Sequence, residues 1–252
     1  NTDIQNSYVE NYTKILPIGI EYYSVADSLD INTSLAQDFS IGGGNRNNSD
    51  RVEKPVGYAA VEAKAAKVIE KHSMLIKGKE HNHMMARAYL LIGKSLFYQK
   101  KYFEALDPFN YVVKNFKGSK QADEAMVYKT IAEINGGNFF DGAERLQELY
   151  EKDPYKSKEL KTMIARTYAQ FLIDQKEYEA ALDPLQKAEY FSSNKDERVR
   201  LFYVMGQIFS KLNKQQEAGE AFTKVFKMKP GFDLEVKSQL AIAANFDPKI
   251  NN

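Results

Sequence analysis

The sequence predicts an all-α chain, a solenoid of antiparallel helix pairs behind an irregular N-terminal segment. Three observations predict it: small residues return at a near-constant interval, apolar residues around them follow helical spacing, and turn-forming residues separate the segments. The chain of 252 residues, 43% hydrophobic and 27% charged, suits one or two domains with an ordinary globular core.

Residues 1–57 form the irregular segment. Tyr8, Tyr12, Ile15, Leu16, Ile18, Ile20 and Tyr22 are too apolar for a free tail, while Pro17 and Gly19 break any long helix. The segment is therefore expected to be partly extended and pinned against the helices. Ile41-Gly42-Gly43-Gly44-Asn45 through Ser49 reads as a flexible loop. It lacks the Lys-Ser/Thr of a phosphate-binding GxxxxGK[ST] loop.

Residues 58–250 form the solenoid: a capping helix, four repeats of about 37–38 residues and the start of a further helix. Tyr58 to Ile76 is the capping helix, with Ala60, Ala63, Lys64, Lys67, Val68 and Lys71 on one compact surface. In the repeats, Ala105, Ala143, Ala181 and Ala218 stand 38, 38 and 37 residues apart, each with an aromatic or polar residue (Tyr102, Phe140, Tyr178, Gln215) three positions before it. Twelve residues before three of them come Gly93, Ala169 and Gly206. Two second helices share a longer string, Ala105-Leu106-Asp107-Pro108 and Ala181-Leu182-Asp183-Pro184.

Each repeat reads as two amphipathic helices. Tyr89, Ile92, Gly93 and Leu96 recur at i, i+3, i+4, i+7, as do Phe202, Met205, Gly206 and Phe209 in the last unit. Ala105, Phe109 and Val112 form the facing stripe. Small side chains let two helices cross closely, and aromatics opposite them fill the gap. The second unit departs, with Ile131 where glycine is expected and Gln147 where phenylalanine is expected. The turn Asn135-Gly136-Gly137-Asn138 is placed to absorb a shift through positive φ. Helix starts are predicted at Ser119, Ser157 and Asn194, and ends at Asp153-Pro154 and Lys229-Pro230. Leu234 to Ala244 begins a further unit, cut off after Asp247-Pro248.

Composition excludes several functions. Lys+Arg 35 against Asp+Glu 34 leaves a net charge of +1, without the basic excess of a nucleic-acid binder. The absence of Cys removes disulfides, thiolate zinc sites and cysteine nucleophiles. His72, His81 and His83 lack the HExxH pattern of a zinc site and read as exposed, so no cofactor or metal is expected. No GxSxG elbow is present, and the chain reads as non-enzymatic. No apolar run reaches the roughly 18 residues of a membrane span, and no signal-peptide core opens the chain. Asn1-Thr2-Asp3 lacks an initiator Met, which suggests a processed chain or a fragment.

The small-residue and aromatic pattern resembles the tetratricopeptide repeat, whose consensus period of 34 residues is shorter than the interval here. The resemblance implies a right-handed tetratricopeptide-type α-solenoid in which first helices line a concave groove. Carried over position by position, the groove residues are Arg87, Lys94 and Tyr98 in the first unit, and Arg166, Gln170 and Asp174 in the third. In the fourth they are Arg200, Tyr203, Gln207 and Lys211. Their bias is basic with interspersed Tyr, suited to peptide carboxylates and polar backbone. The Lys/Asn carboxylate clamp of chaperone-binding relatives is not reproduced, since Leu90 and Lys94 occupy its first positions.

Three strings narrow the resemblance. They are Asn11-Tyr12-Thr13-Lys14-Ile15-Leu16-Pro17, Ala66-Lys67-Val68-Ile69-Glu70-Lys71-His72-Ser73-Met74 and Ala88-Tyr89-Leu90-Leu91-Ile92-Gly93-Lys94. Together they resemble the N-terminal region of the tetratricopeptide lipoproteins of the Bacteroidetes type IX secretion system, the PorW/SprE family. The resemblance implies a periplasmic, outer-membrane-associated scaffold for protein secretion and gliding motility. Its partners would be the outer-membrane translocon and periplasmic ring and motor components, with membrane contact only through a lipid anchor outside this chain. A peptide or substrate receptor using the groove remains an alternative, as does a glycan-binding accessory using stacked Tyr.

Overall fold

A computed structural model of the chain describes residues 14–16, 18 and 57–245. The glycine-rich stretch, Tyr8, Tyr12, Ile20, Tyr22 and Asp247-Pro248 lie outside the described residues. The all-α class is as the sequence predicts: ten helices and one short hairpin occur among the described residues. The helices are α1 (Tyr58–His72), α2 (Met84–Tyr98), α3 (Tyr102–Asn115), α4 (Lys120–Asn135) and α5 (Phe139–Lys152). They continue as α6 (Lys158–Asp174), α7 (Tyr178–Phe191), α8 (Lys195–Lys211), α9 (Gln215–Lys227) and α10 (Phe232–Ala244). The hairpin pairs β1 (Leu75–Ile76) with β2 (Lys79–Glu80), antiparallel.

Three helix starts are capped where expected. The Ser119, Ser157 and Asn194 side chains accept hydrogen bonds from the backbone N–H groups of Ala122, Leu160 and Asp196. The capping helix is shorter than predicted. It ends at His72, and residues 75–76 turn into the hairpin, whose two central residues Lys77 and Gly78 both have positive φ (52° and 76°). Glu80 holds the hairpin to the helix end, accepting from the Ser73 hydroxyl at 2.6 Å and from the Met74 and Asn82 amides at 2.9 and 2.8 Å. The α1 stripe that packs inward is Val61 and Ala65, with Lys64, Lys67 and Lys71 outward.

The chain forms two compact units, Glu21–Glu148 and Asn1–Ile20 with Leu149–Asn252. The boundary falls within α5, and Leu16 and Ile18 bury themselves in the core of the C-terminal unit, with Ile15 packed against it.

In the N-terminal unit, Gly93 of α2 faces Phe109 of α3. A Cβ at Gly93 would stand 2.5 Å from the ring, so the crossing admits no side chain. Tyr128 of α4 stacks on Phe109 at 5.8 Å, and Phe97 meets Tyr98, Tyr102 and Tyr128 edge-on. The Ser95 hydroxyl ties α2 back to the Tyr58 carbonyl and the Glu62 carboxylate of α1.

The second repeat corrects the sequence alignment by one residue. Gly142, not Ala143, is the buried small residue, and a Cβ there would meet the Ile134 side chain at 2.7 Å. With Gly142 as the anchor, fully buried Leu146 takes the place of Phe109 and Phe222, and fully buried Thr130 takes that of Gly93. The intervals become 37, 39 and 37 residues, and the apparent departures at Ile131 and Gln147 disappear.

The C-terminal unit repeats the design. Gly206 of α8 sits under the Phe222 ring of α9, with a virtual Cβ 2.7 Å away, and Tyr203 packs edge-on to the same ring at 5.2 Å. Ala169, Ala181, Ala188 and Ala218 are fully buried at helix contacts among Leu185, Leu201, Val204 and Ile208.

Candidate peptide-binding groove

The spacing of residues on α6 and α8 builds the site. Arg166, Gln170 and Asp174 follow at i, i+4 and i+8 on α6, and Tyr203, Gln207 and Lys211 at i, i+4 and i+8 on α8, so each set lies on one helix face. Between these faces lies a short strap, Lys14–Ile18, from far earlier in the sequence. The Gln207 amide grips it twice: its Oε1 accepts from the Leu16 N–H at 3.0 Å, and its Nε2 donates to the Lys14 carbonyl at 2.8 Å. Gln170 Oε1 accepts from the Ile18 N–H at 2.5 Å. The other end of the same amide donates to Asp174 Oδ1 at 2.8 Å, which fixes its orientation.

Arg166 completes the grip. One guanidinium nitrogen donates to the Ile18 carbonyl at 3.2 Å, and the other pairs with Glu197 of α8. Glu197 lies three residues beyond the Asn194 cap and also accepts from the Ser192 hydroxyl. It thereby fixes Arg166 between two repeats. Leu16 and Ile18 join the buried cluster that contains Ala169, Ile173 and Tyr203. A cavity of about 670 Å³ adjoins Lys14 and Ile15, walled by Tyr178, Tyr203, Gln207, Lys211 and Phe222.

The strap's gains and its ordering cost are of the same order. Burying Leu16 and Ile18 contributes about 1.5–3 kcal/mol each, and four hydrogen bonds add about 0.5–1.5 kcal/mol each. Ordering five residues costs about 1–2 kcal/mol per residue in backbone entropy. Gain and cost are comparable.

The ten groove residues read from sequence do not act alike. In the N-terminal unit, Arg87 is exposed on α2, but Lys94 and Tyr98 serve helix packing. Lys94 Nζ pairs with Glu124 at 2.8 Å and lies over the Tyr128 ring; the Tyr98 and Tyr128 hydroxyls meet at 2.8 Å. In the C-terminal unit, Gln170, Gln207 and Arg166 converge on the strap, and Asp174 orients Gln170. Tyr203 is buried beneath it, Arg200 is half-buried, and Lys211 is exposed over the Tyr178 ring at 4.7 Å. Of the basic groove residues, Lys94 and Arg166 face acidic partners, Glu124 and Glu197. Sequence reasoning missed Glu197, although its place three residues after Asn194 marks a helix-start pair.

Among the described residues no three His, Asp or Glu side chains gather as metal ligands, and no helix is long and apolar enough to cross a membrane.

Comparison with known proteins adds the following. No curated protein matches the sequence. One solved structure, "MamA RS-1 ArsTM double mutant", superposes with a TM-score of 0.49 and 17% sequence identity, over 66% of this chain and 87% of that one. The tetratricopeptide repeat family model matches residues 199–232, a stretch that runs from α8 through α9 and carries Arg200, Tyr203, Gln207 and Lys211 of the groove.

Proposed function

We propose that this chain is a non-enzymatic interaction scaffold whose helix pairs present surfaces to other proteins. The observation that carries it is the grip of α6 and α8 on an extended protein segment through its main chain. The tetratricopeptide match over 199–232 supports the same role, since stacked repeats of this kind supply extended binding surfaces.

The strings around Asn11–Pro17, Ala66–Met74 and Ala88–Lys94 support a particular machine. In it the chain is a periplasmic, outer-membrane-associated part of the type IX secretion and gliding apparatus. It links the outer-membrane translocon to the periplasmic ring and motor components, held by a lipid anchor outside these residues. Affinity purification of the tagged chain from native envelopes should recover both sets of components, and deletion of its gene should stop secretion. Normal secretion in the deletion strain would overturn the assignment.

The second reading, a receptor for an extended peptide, is favoured by the same glutamines. A receptor loses partner co-purification when Gln170 and Gln207 are both changed to Ala. A platform that binds through other surfaces keeps it.

A further inference from the structure

The groove of the C-terminal unit is already filled by a piece of its own chain. We propose that Lys14–Ile18 is an exchangeable occupant of that groove. The ligand it stands in for is an extended peptide carrying aliphatic side chains at alternate positions, and the strap excludes that ligand until it is displaced. The proposal rests on the receptor reading and adds the ligand's chemistry and its regulation.

The hydrogen-bond pattern defines the ligand's backbone. Gln207 bonds the N–H of one residue and the carbonyl of the residue two before it. A neighbouring parallel strand makes that pair of bonds, and here a single side-chain amide takes the strand's place. Gln170 and Arg166 take the N–H and carbonyl of Ile18, two residues further along the same edge. Four main-chain groups of Lys14, Leu16 and Ile18, at alternate positions as an extended chain presents them, thus meet side chains of α6 and α8.

Main-chain bonds carry no sequence preference, so selectivity falls to the side chains between them. Leu16 and Ile18, two residues apart, are both buried with the core cluster. A ligand needs two aliphatic groups at that spacing, and a charged residue at either place would be buried without a partner. Beyond Lys14 and Ile15 the cavity walled by Tyr178, Lys211 and Phe222 offers a longer ligand contacts past the strap's own footprint.

The strap is suited to exchange. It is held by side chains instead of a strand ladder, Gln170 and Gln207 remain half-exposed, and its gains and ordering costs are comparable. A tethered segment nevertheless competes at an effective concentration of about millimolar, enough to exclude a weak ligand.

The test uses the full chain and a fluorescent peptide with the sequence of residues 11–20. Fluorescence anisotropy should show at least about tenfold tighter capture by a Leu16→Asp/Ile18→Asp chain than by the wild type. Adding Gln207→Ala to the freed chain should return capture to the weak level, and a peptide with Asp at both aliphatic positions should not bind. Equal capture by wild-type and freed chains would leave a receptor but remove the competition. Capture by neither, with helicity intact, would remove both. If the freed chain loses helicity, hydrogen exchange on the wild type decides. Excess peptide should speed exchange of the Leu16 and Ile18 amides, and no change would overturn the proposal. A wild-type dimer that depends on Leu16 would also overturn it, marking the strap as a link between copies.

Discussion

At the scale of single residues, the glycines divide by what surrounds them. Gly206 lies under the buried Phe222 ring, whose atoms would stand 2.7–2.9 Å from an added Cβ. Gly219, on the neighbouring helix, has nothing within 4 Å of the same position. Replacing helical glycine by alanine gains about 1 kcal/mol in propensity, whereas overpacking a filled crossing costs about 1–3 kcal/mol. Gly219→Ala should therefore raise stability, and Gly206→Ala should lower it. Urea unfolding of the two variants measures the contrast; equal gains would mean that the α8–α9 crossing is looser than described. Glu80 offers a pH test. Burial alone would raise its carboxyl, but hydrogen bonds from the Ser73 hydroxyl and the Asn82, Met74 and His81 amides outweigh it and lower the pKa. A carboxyl lowered by folding stabilises above its unfolded value, the ordinary 4.5, and that stability is lost as pH falls through the folded value. Amide exchange at Met74 and Asn82 should accelerate as pH falls below 4.5, after correction for the intrinsic rate. Glu80→Gln should flatten that response, and corrected protection that held steady in acid would refute the mechanism.

At the scale of elements, the turn inside each helix pair follows one plan. Lys100, Gly137, Lys176 and Asn213 all have positive φ, between 58° and 99°, and each lies five residues before the buried small residue of the next helix. The following amides, on Lys101, Asn138, Glu177 and Lys214, reach back to the carbonyls of Leu96, Glu133, Leu172 and Phe209, a Schellman closure each time. Asn and Gly adopt this conformation readily, while a residue such as Lys pays about 1 kcal/mol or more for it. Lys176→Gly should consequently raise stability by up to about 1 kcal/mol, read as a higher urea midpoint; an unchanged or lower midpoint would show that the Lys176 side chain contributes more than its backbone costs. These turns also show what was legible in sequence. The helix starts at Ser119, Ser157 and Asn194 could be read because capping chemistry is local. The turn at Gly137 could be read because glycine announces it, but nothing in the identity of Lys100 or Lys176 reveals a left-handed backbone. The one-residue slip in the second repeat has a similar cause. Ala143 looked like its counterparts, and only packing shows Gly142 and Leu146 in the contact.

At the scale of the whole chain, the site was half legible. The positions of Gln170, Gln207 and Arg166 came from the resemblance to the tetratricopeptide repeat, and the aliphatic content of Ile15-Leu16 and Ile18 implied a segment that would not stay in water. That these features meet was hidden, because 148 to 193 residues separate the partners and no local rule couples them. The meeting has a thermodynamic consequence. A core leucine such as Leu201, fully buried within α8, cannot leave its site without unfolding, so Leu201→Ala should cost the full 2–5 kcal/mol or so of such truncations. Leu16 is almost as buried, at 2% exposure, yet its loss has a ceiling. Once the weakened strap is less stable than its released form, the chain lets go and recovers the entropy of the ordered residues. Leu16→Ala should thus cost no more than the strap's small net stability, well under the Leu201→Ala loss. Exchange protection should fall at Ile18 while α2 to α4 of the other unit keep theirs. Equal destabilisation by both substitutions would make the strap an integral part of the core, fixed there as firmly as α8 itself.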